Sequence, residues 1–243
     1  MNLVIDIGNT TAKIAVFDSQ EPVEVVHTSN RTLSSLTGIT GKYPIKKGIV
    51  SSVITLTDEA KTTLANIGIP LLFFTPETPI PITNLYETPQ TLGSDRLAAV
   101  VAANDMHPGH DALVIDAGTC ITYDFIDAAG NYRGGNISPG VDMRLKALHT
   151  FTDKLPLISA EGECQLWGNT TEGAIRSGVI RGIEMEMSGY IIETSQKHPD
   201  LYVFLTGGNN FSFDMKIKNT IFADKYLVLK GLNRILNYNE TIS

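Results

Sequence analysis

The chain has 243 residues, 42% apolar and 19% charged, the make-up of a globular protein with core enough for one large or two small domains. Lys and Arg number 19 against 26 Asp and Glu, a net charge of −7, and no basic cluster exceeds the pair Lys46-Lys47, which argues against nucleic acid or an anionic membrane as the main partner. The longest apolar run, Leu97 to Ala103, falls far short of the ~20 residues a membrane-spanning helix needs. The N-terminus lacks the basic flank of a signal peptide, and Cys120 and Cys164 form neither a disulfide framework nor a metal spacing, so a cytoplasmic location is expected.

In chain order, Val4-Ile5-Asp6-Ile7-Gly8 reads as a buried strand ending in an acid, a small step and a glycine, followed by a second extended stretch from Ala12 to Asp18. Gly48 to Val53 and Leu71 to Thr75 read as buried strands. Between them, Thr57 to Asn66 reads as a helix with apolar Ala60, Leu64 and Ile67. Residues 75–89 hold four prolines and are expected to be irregular surface chain. Ser94 to Asn104 has the Ala-rich body of a helix, with Ser94 as its N-cap. The opening pattern then returns 110 residues later as Val114-Ile115-Asp116-Ala117-Gly118, again followed by Thr and by an extended stretch, Ile121 to Asp127. This echo predicts an α/β protein of two similar halves, 1–110 and 111–243. Pro139 to Thr150 reads as a helix begun by its proline, Thr171 to Gln196 as a long helix, and Leu201 to Thr206 as a strand before Gly207-Gly208. Ala174, Gly178 and Gly182 leave one stripe of the long helix nearly without side chains, expected to pack closely on a sheet or another helix.

Asp6-Ile7-Gly8-Asn9-Thr10-Thr11 is the strongest chemical signal. An acid at a strand end can hold a metal ion or its water, and a glycine turn with exposed N–H groups and Thr hydroxyls can bind phosphate. Gly-Asn is also ordinary hairpin-turn chemistry, but the second copy, Asp116-Ala117-Gly118-Thr119, favours a pair of turns that clamp a nucleotide's phosphates. Neither a P-loop nor a dinucleotide-binding glycine pattern is present. In Gly93-Ser94-Asp95-Arg96 an acid stands at a helix start, where the macrodipole favours its ionised form; it can orient a hydroxyl while the guanidinium beside it holds phosphate oxygens. Plain helix capping is the bland alternative. His107-Pro108-Gly109-His110 reads as a surface turn, Cys120 as a small packing residue, Trp167 as core and Lys13 as a solvated hairpin charge.

Five motifs in order resemble the type III pantothenate kinases of the sugar kinase, actin and heat-shock chaperone superfamily. They are Asp6-x-Gly8-Asn9-Thr10, Tyr86-x-x-Pro89-x-x-Leu92-Gly93-x-Asp95-Arg96, Asp116-Ala117-Gly118-Thr119, Gly134-Gly135-x-Ile137-x-Pro139-Gly140 and Asn169-Thr170-Thr171. The resemblance implies two ribonuclease H-like halves of the actin-like ATPase fold around a nucleotide cleft. It implies ATP-dependent phosphorylation of pantothenate, the first step toward coenzyme A. Asp6, Ile7, Gly8, Asn9, Thr10, Thr11, Ala12 and Lys13 would form the first phosphate loop, with Asp6 near the magnesium of ATP. Asp116 would bind a monovalent cation, potassium or ammonium, and Thr119 would touch ATP. Asp95 would be the catalytic base, Gly93, Ser94, Asp95 and Arg96 would line the pantothenate pocket, and Tyr86 and Thr171 would contact pantothenate, Thr171 from the partner of a homodimer. Position 120 is Cys where the family usually has Ala, and the stretch Thr206 to Asn210 matches the nucleotide end only loosely. A non-catalytic regulatory protein of the same fold and a phosphatase of the same superfamily are the alternatives.

Overall fold

The computed structural model describes residues 1–208 and 220–242, so Asn209 and Asn210 lie outside the described residues. The chain divides into two compact units. The first comprises Met1–Gly109 with the segments Ile126–Gly134 and Tyr226–Ser243; the second comprises His110–Phe125 and Gly135–Lys225. The division falls in the turn of His107 to His110, and the two returning segments belong with the first unit.

In the first unit, β1 (Asn2–Ile7) runs antiparallel to β2 (Ala12–Asp18), which pairs with β3 (Glu21–Thr28). After the short α1 (Leu36–Thr40), β4 (Lys47–Ser52) lies parallel to β1; α2 (Asp58–Ala65) then leads to β5 (Leu71–Phe73), parallel to β4. The sheet order is β3-β2-β1-β4-β5. Thr57 caps α2 by accepting the Ala60 N–H at 3.1 Å. Leu3, Ile5, Ile7, Ile14, Val16 and Val50 point to one side and form a core with Leu36 and Leu64. The expected irregular stretch holds a two-residue strand, β6 (Thr83–Asn84), before α3 (Ser94–Met106).

In the second unit, β7 (Ala112–Ala117) and β8 (Cys120–Ile126) repeat the opening of the first, and β9 (Asn131–Pro139) follows. Then come α4 (Val141–Thr150), the 27-residue α5 (Thr171–Lys197), β10 (Tyr202–Gly207) parallel to β7, and β11 (Thr220–Ala223) parallel to β10. Read from the other end, the strand order β9-β8-β7-β10-β11 is that of the first sheet, β3-β2-β1-β4-β5, so the echo in sequence is an echo in topology. The tip of the β8–β9 hairpin belongs with the first unit, where β6 pairs with it, and α6 (Leu227–Thr241) packs there along α3, with Gly231 against the backbone of Ala98. Among the described residues no helix is long and apolar enough to cross a membrane.

Four expectations are corrected. Gly93, not Ser94, caps α3; Ser94 is helical, and its hydroxyl is instead taken up by Ser51 Oγ at 2.8 Å. Pro139 ends β9 and does not start α4, which is capped by Gly140. Trp167 is 82% exposed and so not core. Among the described residues, Gly178 and Gly182 have nothing within 4 Å of a would-be Cβ, so the small-residue stripe is not packed on a sheet there. Strands β3, β9 and β11 and helices α1 and α6 had no counterpart among the expected elements.

The hairpin tip is held by Asp127, whose carboxylate accepts the N–H groups of Ala129 (3.1 Å) and Asn131 (3.0 Å), the Asn131 amide and Arg133 Nε (2.6 Å). Burial works to raise the Asp127 carboxyl, but the bonds from Asn131 and Arg133 outweigh it and hold the group below the usual carboxylate range. A group lowered in the folded state stabilises above its unfolded value, about 4, and that contribution is lost as pH falls through the lowered native value. Asp127→Asn is expected to cost about 1–2 kcal/mol at neutral pH, and the loss to shrink as the pH drops below about 4. Thermal unfolding of both proteins across that range checks it; a gap that stays constant to low pH would overturn it.

Candidate active site

In the first unit the site starts where β1 ends. Ile5 and Ile7 are fully buried and Asp6, between them, is half-buried on the opposite face of the strand. Gly8 N–H donates to the Thr11 carbonyl at 3.0 Å and closes a turn that passes the chain to β2. Asn30 Nδ2 donates to the carbonyls of Gly8 and Asn9, both at 3.0 Å, which ties the turn down while Asn9, Thr10 and Thr11 stay exposed. Asp6 stands opposite Lys13 on β2 and in register with Ser51 on β4. Ser51 is fully buried and shares a hydrogen bond with Ser94, so the end of β4 is joined to the start of α3.

At that helix start Asp95 Oδ1 accepts the Arg96 N–H at 2.8 Å. The carboxylate folds back over Gly93, where a Cβ would lie 2.6 Å from Oδ1; any side chain at 93 would displace it. The Arg96 side chain is buried, 6% exposed. Its Nη2 donates to Tyr132 Oη at 3.2 Å, and its Cζ lies 5.8 Å from the ring centre of Tyr86. Asp6 to Thr11, Ser94, Asp95, Arg96 and Tyr86 thus form one connected set, with Ser51 as the link.

The second unit repeats the strand end. Asp116 is half-buried next to the end of β7 and in register with Thr206 on β10, as Asp6 is with Ser51. Gly118 N–H donates to Cys120 O at 3.0 Å, and Gly140 N–H donates to Thr119 O at 3.1 Å. A Cβ on Gly140 would sit 2.4 Å from Gly118 O and 2.5 Å from Thr119 O, so only glycine lets α4 begin against this turn. Arg144 secures the approach: Nε donates to Pro139 O (2.7 Å), and Nη2 to Ser138 Oγ (2.9 Å) and Glu186 Oε2 (2.7 Å). Tyr123 Oη donates to Glu186 Oε1 at 2.8 Å. Burial works to raise the Glu186 carboxyl, but the bonds from Arg144, Tyr123 and Ser138 prevail and lower it; burial and the Glu186 bond push the Tyr123 phenol up. Thr171, exposed, opens α5 behind its cap Thr170, whose Oγ1 accepts the Gly173 N–H at 3.0 Å. It lines, with Arg144, Leu148, Leu155, Ala174 and Gly178, a groove of ≈ 780 Å³.

Sequence reasoning missed Asn30, Ser51, Tyr132, Arg144 and Glu186. Asn30 and Ser51 act over 22 and 43 residues of chain, and no local pattern marks them. Tyr132 had a signal, since it stands two residues before the Gly134-Gly135 motif.

Residues 2–193 match the model of the family described as type III pantothenate kinase. The chain is 61% identical over 242 residues to a type III pantothenate kinase of Phocaeicola vulgatus, covering 100% of both, and 59% identical over 240 residues to one of Bacteroides fragilis, covering 99% of both. One from Porphyromonas gingivalis is 40% identical over 98% of each chain. Among solved structures, a Baf family protein of Campylobacter jejuni is similar with a TM-score of 0.63 and 21% identity, covering 98% of this chain and 99% of that one. A ROK family glucokinase of Streptomyces griseus is similar with a TM-score of 0.53 and 10% identity, covering 99% of both. These two carry the fold alone, the two-sheet α/β architecture of the actin-like ATPases.

Proposed function

Because the chain belongs to the type III pantothenate kinase family, we propose that it transfers the terminal phosphoryl group of ATP to the primary hydroxyl of pantothenate, with Asp95 as the base. The observation that carries this reading is the start of α3, where Asp95 lies over a glycine beside the buried, aromatic-backed guanidinium of Arg96. Phosphoryl transfer asks a protein mainly for positioning and charge neutralisation. The Asp95 carboxylate takes the proton of the attacking hydroxyl, and Arg96 and Tyr86, with Gly93 and Ser94, hold pantothenate in place. The turns Gly8–Thr11 and Gly118–Thr119 offer N–H groups and Thr hydroxyls to the phosphates, with Lys13 as a nearby positive charge.

Among the described residues no group of three or more His, Cys, Asp or Glu could hold a metal ion. Asp6 and Asp116, each a half-buried carboxylate in register with a hydroxyl residue, suit ions that take most of their oxygens from phosphate and water. Asp6 would serve magnesium and Asp116 a monovalent cation, potassium or ammonium; both ions would offset phosphate charge. A homodimer with Thr171 reaching the partner's pantothenate is supported by the exposed Ala174 and Gly178 of α5 and by Phe151 and Trp167, 85% and 82% exposed.

Asp95→Asn keeps the shape and can still bond the alcohol but cannot take its proton. We expect kcat to fall ~10² or more with ATP affinity little changed, in an assay that follows ADP with and without pantothenate. ADP release independent of pantothenate would indicate a phosphatase, no release a binding protein, and near-normal kcat in the variant would remove Asp95 as the base. Replacing sodium by potassium or ammonium at constant ionic strength is expected to raise activity steeply, and Asp116→Asn to blunt that response. Full activity in sodium alone would refute the role of Asp116. Light scattering at micromolar concentration should give twice the chain mass, and a stable monomer would refute the shared site.

A further inference from the structure

We infer that Tyr132 is a positioning residue that sets the geometry of pantothenate recognition from beneath the site, an inference that rests on the roles proposed for Arg96 and Tyr86. Tyr132 is 0% exposed, so it touches no substrate. It nevertheless touches both of those residues and the short strand that leads into one of them. Its hydroxyl accepts a hydrogen bond from Arg96 Nη2 at 3.2 Å. Its ring stacks on that of Tyr86, with centroids 6.1 Å apart and planes inclined by 23°. Its carbonyl accepts the N–H of Leu85 at 3.1 Å, one residue before Tyr86, and its backbone is in register with Asn84 across the β6–β9 pair.

Each contact removes a freedom that recognition cannot tolerate. A guanidinium presents five donors in a rigid planar fork, and a single hydrogen bond to one Nη turns that plane. The Tyr86 ring, 5.8 Å from Arg96 Cζ, limits movement of the fork on another side, and that ring is itself backed by Tyr132. A planar anionic or amide group on the substrate would then meet a guanidinium of fixed orientation, where a loosely held one would have to be ordered on binding. The phosphate turn Gly8–Thr11 shares none of these contacts, so nucleotide binding should be blind to Tyr132.

Tyr132→Phe keeps the ring and its stack and removes only the hydroxyl. We expect kcat/KM for pantothenate to fall about tenfold, the scale of one hydrogen bond to a charged group, mainly through KM, with KM for ATP unchanged within a factor of about two. Tyr132→Met, which fills the space without a hydroxyl, should show the same selective loss, so the test does not hang on one variant folding. In an Arg96→Lys background Tyr132→Phe should cost little more, since the fork it orients is gone. Equal losses toward pantothenate and ATP, an equal further loss in both backgrounds, or unchanged pantothenate kinetics in Tyr132→Phe would overturn the inference. An Arg96→Lys enzyme with full kcat/KM for pantothenate would instead refute the role given to Arg96, and this inference with it.

Discussion

The tight reversal at the end of each unit's first strand is the constraint on which both units depend. β1 lies between β2 and β4, and β7 between β8 and β10, and each passes at once into the neighbour that follows it in sequence. The reversal takes a glycine, and a glycine N–H closes the turn: Gly8 onto Thr11, Gly118 onto Cys120. The period-two alternation of the strand does the rest. With Ile5 and Ile7 committed to the core, Asp6 must project from the other face, and Asp116 follows the same rule between Ile115 and Ala117. A carboxylate there is only half-buried, which limits its desolvation cost, and the parallel neighbour sets a hydroxyl residue, Ser51 or Thr206, beside it. Acid, hydroxyl and exposed turn are thus consequences of where the strand lies in the sheet.

Each unit also holds a guanidinium in place with other side chains close to a glycine. Burying Arg96 is costly unless its donors are met, and the aromatic pair Tyr86 and Tyr132 meets it with one oxygen and one ring face. Arg144 is held by a carboxylate and by two acceptors of the segment it restrains, Ser138 and Pro139. The two arrangements differ in what they fix. Arg96 is held against two aromatic side chains, whereas Arg144 bonds Ser138 and Pro139, the residues that lead into Gly140.

How much of this was legible in the sequence follows from the range over which each feature is determined. β1, β2, β7, β8, α2, α3 and α5 announce themselves through local periodicity and caps, and the echo of Val4–Gly8 in Val114–Gly118 carried the duplication of the sheets. β3 escaped because Pro22 and the glutamates Glu21 and Glu24 break its alternation, and β9 because Gly134-Gly135-Asn136 reads as loop. α6 has a plain apolar face in Leu227, Val228, Leu232, Ile235 and Leu236, and its pattern alone could have placed it. The acids and turns of the site were readable because they sit at strand and helix ends. The cap of α3 was misassigned because Ser94 has a partner 43 residues away that outbids local capping. Glu186 is known only once distant strands and helices are packed, and the partners of Tyr132 likewise.

The long helix α5 carries a different kind of information. Ile175, Val179, Ile183, Met187 and Ile191 recur at every fourth residue and account for the face buried in its own unit. The opposite account is harder to give for Gly178, Gly182 and Gly189, around which a Cβ would meet nothing within 4 Å among the described residues. A glycine in a helix interior costs about 1 kcal/mol relative to alanine, and here alanine would fit without any clash. These three positions therefore weaken the helix by about 3 kcal/mol with no packing gain among the described residues. Trp167 and Phe151, both largely exposed, pose the same question on the apolar side. In the homodimer proposed above, a second copy of the chain laid against α5 would answer both, because backbones that approach closely need bare helix surface and exposed aromatic rings need cover.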